Sequence, residues 1–510
     1  MVYPFTLPTT SHLSLQSSLT SPTHPSLPQA ASTARHALRV ALKTHKQLPH
    51  GPQQDAHLPT VLTALTDYLP YLQALSAGLT DKPFETTSGT REMISVLPRA
   101  DLTPEWRPTI SSPAAATAPN RARARGHTLD FEIAFVLTTL GYVLSRLAHS
   151  GVTRTLYAAS TPTAEQRTAA VQSATRSLLQ ASAVHTLLAS RPPPPSTTPP
   201  PPPPDTNPTT QTALAALALS EATLLAVLKD DSYIAACIQA RNPHDRDWMV
   251  RAPEIPKVRA HLFARLCLRA AEYADQAAAG LGSVGAHAKA KAGVDDRLVR
   301  YVRVLARVAR ARACRFFGVD AELAGRIGEG IAWLRAARGA LGVQAGTSTA
   351  SSKKDRAEKG GASGLDRLKQ GWMERREERR LEKGAGGGGS REKGGGLGPG
   401  DYAGREEEGR VIEMLETKWV RMNDTINTQL IPPSTDLLNS LPSGRDIHSP
   451  PGAYKLPSLD DEQLAQMRAP PDDTGSISGA SDEEEGDEGL EQTQVPTPGA
   501  YPERTDSAYY

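Results

Sequence analysis

The amino-acid sequence predicts an all-α protein interrupted by disordered segments, and three observations lead to that fold class. Aromatic residues make up only 5% of the 510 residues, so the core has to be built from Ala, Leu and Val, which favours helices over sheets. Apolar residues recur at helical spacing along much of the chain. Between these stretches lie segments whose Pro, Gly or charge content prevents them from packing.

Taken in order, the apolar pattern predicts nine helices. Pro70 should kink the helix predicted over 57–79. Pro256 suits the first turn of the helix predicted over 256–280, and Asp295 is a good N-cap for the helix predicted over 295–316. Only residues 93–110 look extended, and they are compatible with one short β-hairpin. The predicted helices cover residues 31–46, 57–79, 129–149, 163–190, 212–230, 256–280, 295–316, 328–341 and 410–430.

Three segments are predicted to be disordered. Residues from about 191 to 210 contain two unbroken proline runs, and residues 343–405 are rich in Gly, Lys, Arg and Glu. From Asp472 to Tyr510 the chain carries eleven acidic residues and one basic residue. Because the helices after each internal gap need partners from before it, we predict one helical domain over 1–460 with inserts at about 191–210 and 343–405. A disordered acidic tail over 461–510 follows.

Composition and charge narrow the class of protein. Lys and Arg number 57 against 55 for Asp and Glu, which excludes a nucleic-acid binder driven by bulk charge. The thiols Cys237, Cys267 and Cys314 form no CxxC pair or Cys/His cluster, so we expect no zinc and a reducing compartment. Residues 1–8 do not look like a signal peptide, and residues 131–147 are too short and too polar to span a membrane. We therefore expect a soluble, intracellular protein.

Catalytic motifs are missing from the sequence, which contains no GxSxG, HExxH, P-loop or EF-hand pattern. The stretch Gly280–Gly285 matches GxGxxG, but a predicted helix precedes it instead of a strand, so we interpret it as a helix-ending glycine loop. The acidic run Asp482–Glu485 is interpreted as part of a solvated tail instead of a metal site. We expect no catalytic residue, no cofactor and no metal.

The helix predicted over 256–280 carries the most informative pattern. Leu262, Leu266 and Tyr273 share one stripe of the helix, and three arginines fall on the same side. An exposed apolar patch with a charged rim is what docking of a partner helix requires. The alternative is that both leucines belong to the core while the arginines extend past them to water. The arginines are Arg259, Arg265 and Arg269.

A second row of arginines lies on the helix predicted over 295–316. Leu298, Val302 and Leu305 lie on its opposite side. We interpret the row as the solvated face of an amphipathic helix, the alternative being contact with phosphates or a membrane surface. The row consists of Arg297, Arg300, Arg303, Arg307 and Arg310.

Several segments together resemble the Bro-one domain family, whose members include Alix, and most closely its fungal members that act in the response to ambient pH. The matches run from the start of the chain to about residue 460. They are the opening Tyr3–Thr10, His57–Leu62 with Tyr68–Leu72, Glu105–Arg107, Phe131–Ser145, Asp247–Lys257, Gly328–Leu334 and Met422–Pro432. Within the first, Tyr3–Leu7 has the form of a YPx(n)L peptide, the motif that Alix-type adaptors bind. We interpret it instead as an arm that packs on the domain.

The resemblance implies a boomerang-shaped all-helical domain with a tetratricopeptide-like centre. It further implies that a hydrophobic patch binds the amphipathic C-terminal helix of the main filament-forming ESCRT-III subunit. Two patch positions of the family fall on Leu262 and Leu266, and a third falls near Thr223 and Leu224 of the preceding helix. Arg259, Arg265 and Arg269 would orient the partner's acidic side. Arg445, which lies in a segment typical of the fungal members, is a further candidate for binding the partner.

The function implied by the resemblance is that of a non-enzymatic adaptor in ambient alkaline pH signalling. It would be required for proteolytic activation of the PacC transcription factor, by a protease that is a different protein. The implied partners are the ESCRT-III helix and other pH-signalling proteins, not nucleic acid, with peripheral membrane association through those partners. The implied location is the cytoplasm, with recruitment to endosomal or cortical plasma-membrane sites. The alternative is a general endosomal-sorting scaffold.

Overall fold

The computed structural model describes residues 2–111, 123–158, 162–191, 203–239, 257–286, 293–342, 403–449 and 452–470. The chain divides into two units, Met1–Arg468 and Ala469–Tyr510. All the helices and strands given below lie in the first unit, and of the second only residues 469 and 470 are described.

Helices dominate the described residues, so the predicted all-α class is confirmed. Every one of the nine predicted helices is present, although most begin or end several residues from the predicted bounds. The fourteen α-helices of the described ranges are α1 (Leu15–Ser18), α2 (Leu27–Gln47), α3 (Pro52–Ala56), α4 (Leu58–Leu79), α5 (Leu129–Leu156), α6 (Ala164–Ser190), α7 (Pro208–Leu228), α8 (Ser232–Gln239), α9 (Lys257–Ala286), α10 (Asp296–Leu323), α11 (Ile327–Leu341), α12 (Arg405–Met422), α13 (Ser434–Asn439) and α14 (Asp461–Gln466). A short 3-10 helix, Pro204–Thr206, precedes α7. A π-helical turn, Asn423–Asn427, follows α12.

Local sequence explains where the long helices begin. Thr163 and Gln166 form a capping box at the start of α6, with backbone-to-side-chain distances of 3.1 and 3.0 Å. The side chain of Asn207 accepts from the Thr209 amide ahead of α7, and Asp295 caps α10 as predicted. Pro256 lies outside the described residues.

The long helices α5, α6, α7, α9, α10 and α11 pack in succession, each against the next. Gly280 lies inside α9, where an added Cβ would come within 3.0 Å of the Ala213 Cβ on α7. The GxGxxG match is therefore a stretch of helix at a close helix crossing, and the loop predicted there is wrong.

Two of these helices, α5 and α7, are long and apolar enough to cross a membrane by length and composition. The expectation that residues 131–147 are too short and too polar to do so is therefore wrong by this criterion, because α5 extends beyond them to Leu156. In the most apolar 18-residue stretch of each helix, 78% and 83% of the stretch, respectively, are buried inside the protein. Packing within the domain thus accounts for their apolar character.

The short strands are β1 (Thr9–Thr10), β2 (Leu19–Thr20), β3 (Pro83–Glu85), β4 (Arg91–Met93), β5 (Leu97–Pro98), β6 (Glu105–Arg107) and β7 (Ala124–Arg125). Strand β3 pairs with β4, β2 with β5, and β6 lies between β1 and β7, all antiparallel. The predicted hairpin at 93–110 is therefore wrong, because β5 and β6 pair with N-terminal strands. Buried Trp106 helps to hold β6 in place by donating its Nε1 hydrogen to Glu132 on α5 over 2.6 Å.

Parts of the predicted disordered segments are ordered. Asp205 is fully buried and accepts from the Thr109 amide over 3.0 Å, and α7 already begins at Pro208. The predicted insert at about 191–210 is therefore wrong for residues 203–210. At the C-terminal end, α14 lies within the range predicted as tail, and Arg468 pairs with Glu92 at 2.7 Å. Residues 192–202, 343–402 and 471–510 lie outside the described residues.

The N-terminal arm, Val2–Leu7, packs on the helical body. The Phe5 ring is stacked on Tyr142 of α5 with a centroid separation of 4.7 Å, and only 3% of Phe5 is exposed. The Tyr3 amide donates to buried Glu221 of α7 over 2.9 Å. The interpretation of Tyr3–Leu7 as a packed arm is confirmed.

The arginine row on α10 projects into solvent. Arg297, Arg300, Arg303, Arg307 and Arg310 are all exposed, while the leucines and valine of the opposite side are buried. Arg310 pairs with Asp275 of α9.

Candidate functional site

Helix α9 passes between α7 and α10, and this position decides which of its predicted site residues reach solvent. Leu262 is partly exposed, whereas Leu266 is only 1% exposed. The expectation that both leucines are exposed is therefore wrong for Leu266, which belongs to the core. The reason is that α7 and α10 both pack against α9. Together they cover more of its surface than the spacing of the leucines predicts.

The predicted positions on α7 are also buried. Leu224 has no exposed surface, and Thr223 is 3% exposed. The Thr223 hydroxyl donates to the Leu219 carbonyl within the same helix, at 2.8 Å. Exposure was thus predicted wrongly for both residues, because nearly the whole circumference of α7 is enclosed by α6, α9 and neighbouring segments.

A segment far along the chain crosses this face of α9. We call residues Ser443–His448 the strap. The Arg445 amide donates to the Arg265 carbonyl over 3.1 Å, and the Arg265 Nε donates to the Ser443 carbonyl over 3.1 Å. A Cβ added at Gly444 would lie 2.6 Å from the Arg269 backbone nitrogen. The strap therefore rests directly on the helix backbone, at a position where only glycine fits without a shift.

Charged side chains fix the middle of the strap. The Asp446 carboxylate accepts from the Arg269 Nε over 2.8 Å and from the Tyr273 hydroxyl over 2.6 Å. These two hydrogen bonds, the one from Tyr273 foremost, hold the pKa of Asp446 below its usual range. Burial and the bond to Asp446 raise the pKa of Tyr273. Glu272 accepts from the Gly444 amide over 3.2 Å and from Arg269 over 2.8 Å.

The last residue of the strap reaches α7. The His448 ring is half-buried and lies close to the backbone of Ala222, the residue before Thr223. Burial lowers the pKa of His448, so its ring is held neutral at neutral pH. The strap thus links α9 to α7 across the face on which the predicted site residues lie.

The structure brings most of the predicted site residues together, with different degrees of access. Arg265 and Arg269 are partly exposed beside the strap, and the side chain of Arg445 is exposed above it. Arg259 pairs with Asp230 at 3.4 Å. Sequence reasoning singled out Arg445 but missed Asp446 and Gly444, the residues that attach the strap. The available signal was a charge opposite to that of Arg269 two residues after a glycine, but 177 residues separate Asp446 from Arg269.

Beneath α9, a buried ion network fixes α10 against α8 and α12. Glu408 accepts from Arg312 and Arg315, and Arg315 also pairs with Asp231, with no exposed side-chain surface at any of the four residues. Burial alone would raise the pKa of Glu408, but the charges of Arg315 and Arg312 outweigh it and hold that pKa low. The network therefore ties α10, which packs against α9, to segments that are distant in the chain.

Chemically, the face suits binding more than bond-making. Burial raises the pKa of the Cys267 thiol to about 12, so the cysteine closest to the predicted site remains protonated. Among the described residues, no group of three or more His, Cys, Asp or Glu side chains is placed to hold a metal ion. The groups of this face that reach solvent include a partly exposed leucine and arginines, together with the carboxylates of Glu272 and Asp446. The leucine and the arginines suit a surface with apolar and acidic parts.

Comparison with known proteins places the chain in a family. The model of the BRO1-like domain matches residues 10–379, and the chain belongs to that family. It is 61% identical over 515 aligned residues, spanning 100% of both chains, to the pH-response regulator protein palC of Emericella nidulans. The resemblance to fungal pH-response members of the family is thus confirmed.

Solved structures with a similar fold include two of ALIX. One, the complex of the ALIX BRO1 domain with CHMP4C, has a TM-score of 0.50 and 14% identity, covering 90% of this chain and 99% of that one. The other, ALIX with the SIVmac239 PYKEVTEDL late domain, has a TM-score of 0.52 and 15% identity, covering 92% of this chain and 51% of that one. At such identities the likeness concerns the fold.

Proposed function

We propose that this protein is a non-enzymatic adaptor in ambient alkaline pH signalling that binds an ESCRT-III subunit. The full-length identity of 61% to a pH-response regulator supports the pathway, and the BRO1-like domain supports a role as a scaffold. In this role the protein acts with other pH-signalling proteins and is required for activation of PacC by a separate protease. It is cytoplasmic and is recruited to endosomal or cortical membranes through its partners.

The binding site in this proposal is the α7–α9 face, by which we mean the surface of α9 at Leu262, Arg265 and Arg269 and the adjoining part of α7. The observation that carries the proposal is the combination of Leu262 with the two arginines. Leu262 is partly exposed while both arginines reach solvent on the same helix. An amphipathic partner helix can place an apolar residue on Leu262 and acidic residues near the arginines. A structure of the ALIX BRO1 domain contains CHMP4C, which supports an ESCRT-III subunit as the partner.

The test is a pull-down of each ESCRT-III subunit with the full chain and two matched variants. Leu262→Asp places a charge on the proposed contact, whereas Leu438→Asp makes the same change at an exposed position on α13. We expect Leu262→Asp to abolish capture of the filament-forming subunit and Leu438→Asp to retain it, with both thermal midpoints near wild type. Equal capture by the two variants would remove the α7–α9 face from the proposal.

The BRO1-like domain also favours a general endosomal-sorting scaffold, which a null strain distinguishes. In a pH-signalling adaptor, loss of the protein blocks PacC processing and growth at alkaline pH while membrane cargo is sorted normally. Loss of cargo sorting at both acidic and alkaline pH would favour the general scaffold.

A further inference from the structure

We propose that the strap, Ser443–His448, is an internal competitor that covers the partner-binding face and is displaced when the partner helix binds. The inference rests on the proposed function, because it concerns the same face of α9. It adds a regulatory step, in which the strap lowers the apparent affinity of the closed protein for an acidic amphipathic helix.

Steric contact shows that the strap and a partner helix cannot share the middle of α9. The backbone of Gly444 touches the backbone of Arg269, so that even an added Cβ would lie 2.7 Å from the Arg269 Cα. A helix with its side chains is about 10 Å across. No helix fits between the strap and α9, and any helix that contacts α9 at Arg265–Arg269 has to replace the strap.

The strap also uses the polar groups that an acidic partner needs. The Nε of Arg265 is bound to the Ser443 carbonyl, and the Nε of Arg269 is bound to the Asp446 carboxylate. Asp446 therefore supplies the negative charge that an acidic side chain of the partner would supply in its place. A partner that brings its own carboxylates compensates for the bonds that are lost on opening.

Two of the contacts that hold the strap are weak, which favours its release. Arg269 and Asp446 keep 34% and 50% of their side-chain surface exposed, and exposed ion pairs contribute little to stability. Ile447, the large apolar residue of the strap, is 47% exposed and so adds little burial to hold it down.

The flanks of the strap are anchored elsewhere. On the N-terminal side, the Gln429 side chain accepts from the Gly328 amide at 3.0 Å. On the C-terminal side, the Leu459 carbonyl accepts from the Thr87 amide at 3.0 Å. The crossing segment can therefore lift from α9 without release of either end, as a local two-state element requires.

The experiment measures binding of a fluorescein-labelled peptide, the C-terminal helix of the filament-forming ESCRT-III subunit, to the full chain by anisotropy. Asp446→Ala removes the charged anchor, and Gly444→Ala pushes the strap off the Arg269 backbone with no change of charge. Asp424→Ala, at an exposed aspartate after α12, is the matched charge control. We expect the first two variants to bind about five- to tenfold more tightly than wild type, and the control to bind equally.

Hydrogen exchange gives a second readout on wild type, because the Gly444 and Arg445 amides are hydrogen-bonded to α9 in the closed state. We expect peptide binding to speed their exchange. If the peptide binds wild type and both opened variants equally, and these amides stay protected, the strap is not a competitor, while the proposed function stands. If the peptide binds neither wild type nor the opened variants, the proposed function fails and this inference fails with it.

Discussion

Arg315 donates its Nε hydrogen to Glu408 at a point where neither side chain retains any solvent-exposed surface. The pair joins α10 to α12, which lie on opposite sides of residues 343–402. Arg312 donates to the same carboxylate over 2.9 Å. Helices before and after that long segment thus share one buried charge network, as expected of one domain with an insert.

Removing the charge of Glu408 should strongly destabilise the domain. In Glu408→Gln two buried guanidinium groups lose their carboxylate, and breaking a buried pair costs about 3–5 kcal/mol of unfolding free energy. Urea unfolding followed by circular dichroism measures the change. Glu413→Gln, at an exposed position of the same helix, is the control and should unfold like wild type. Equal midpoints for the two variants would contradict the network's role.

Leu266 should contribute to stability in the way of a core residue. It is 1% exposed, so Leu266→Ala removes buried methyl groups and leaves a cavity, which costs about 2–5 kcal/mol. Leu262→Ala, at a partly exposed site one turn earlier, should cost much less. Thermal unfolding compares the two. A small effect at Leu266 would instead support the expectation that both leucines form an exposed patch.

The N-terminal arm should behave as part of the core. Phe5 is stacked on Tyr142, and Phe5→Ala is expected to lower the free energy of unfolding by about 3–5 kcal/mol. Thr6→Ala changes an exposed neighbour and should leave the thermal midpoint unchanged. If both variants melt like wild type, the arm is not held on the body in solution.

Glu221 should make stability depend on pH. Burial raises its pKa to about 7 from the usual 4.5, although Tyr301 and the Tyr3 amide donate to it. Because the folded state binds this proton more tightly, its contribution is complete below pH 4.5 and is lost as the pH rises to about 7. The urea midpoint of wild type should therefore fall more between pH 5 and pH 7.5 than that of Glu221→Gln. Parallel pH profiles would contradict the assignment.

The sequence by itself determined where the long helices lie. Helical periodicity and the cap at Asp295 are encoded by residues close together in the chain. The same holds for the family, because its motifs are short continuous segments. Local patterns were less informative for residues 93–110, because β5 and β6 pair with strands some 80 to 100 positions earlier and β6 also pairs with β7.

The tertiary structure decided which residues of the α7–α9 face meet solvent. A helical stripe shows that Leu262 and Leu266 share a side, but not that α7 and α10 enclose one of them. The strap lies further still from local signals, since the bond from Arg265 to Ser443 spans 178 positions. Burial and long-range pairing depend on how distant segments pack together, and no local pattern records that.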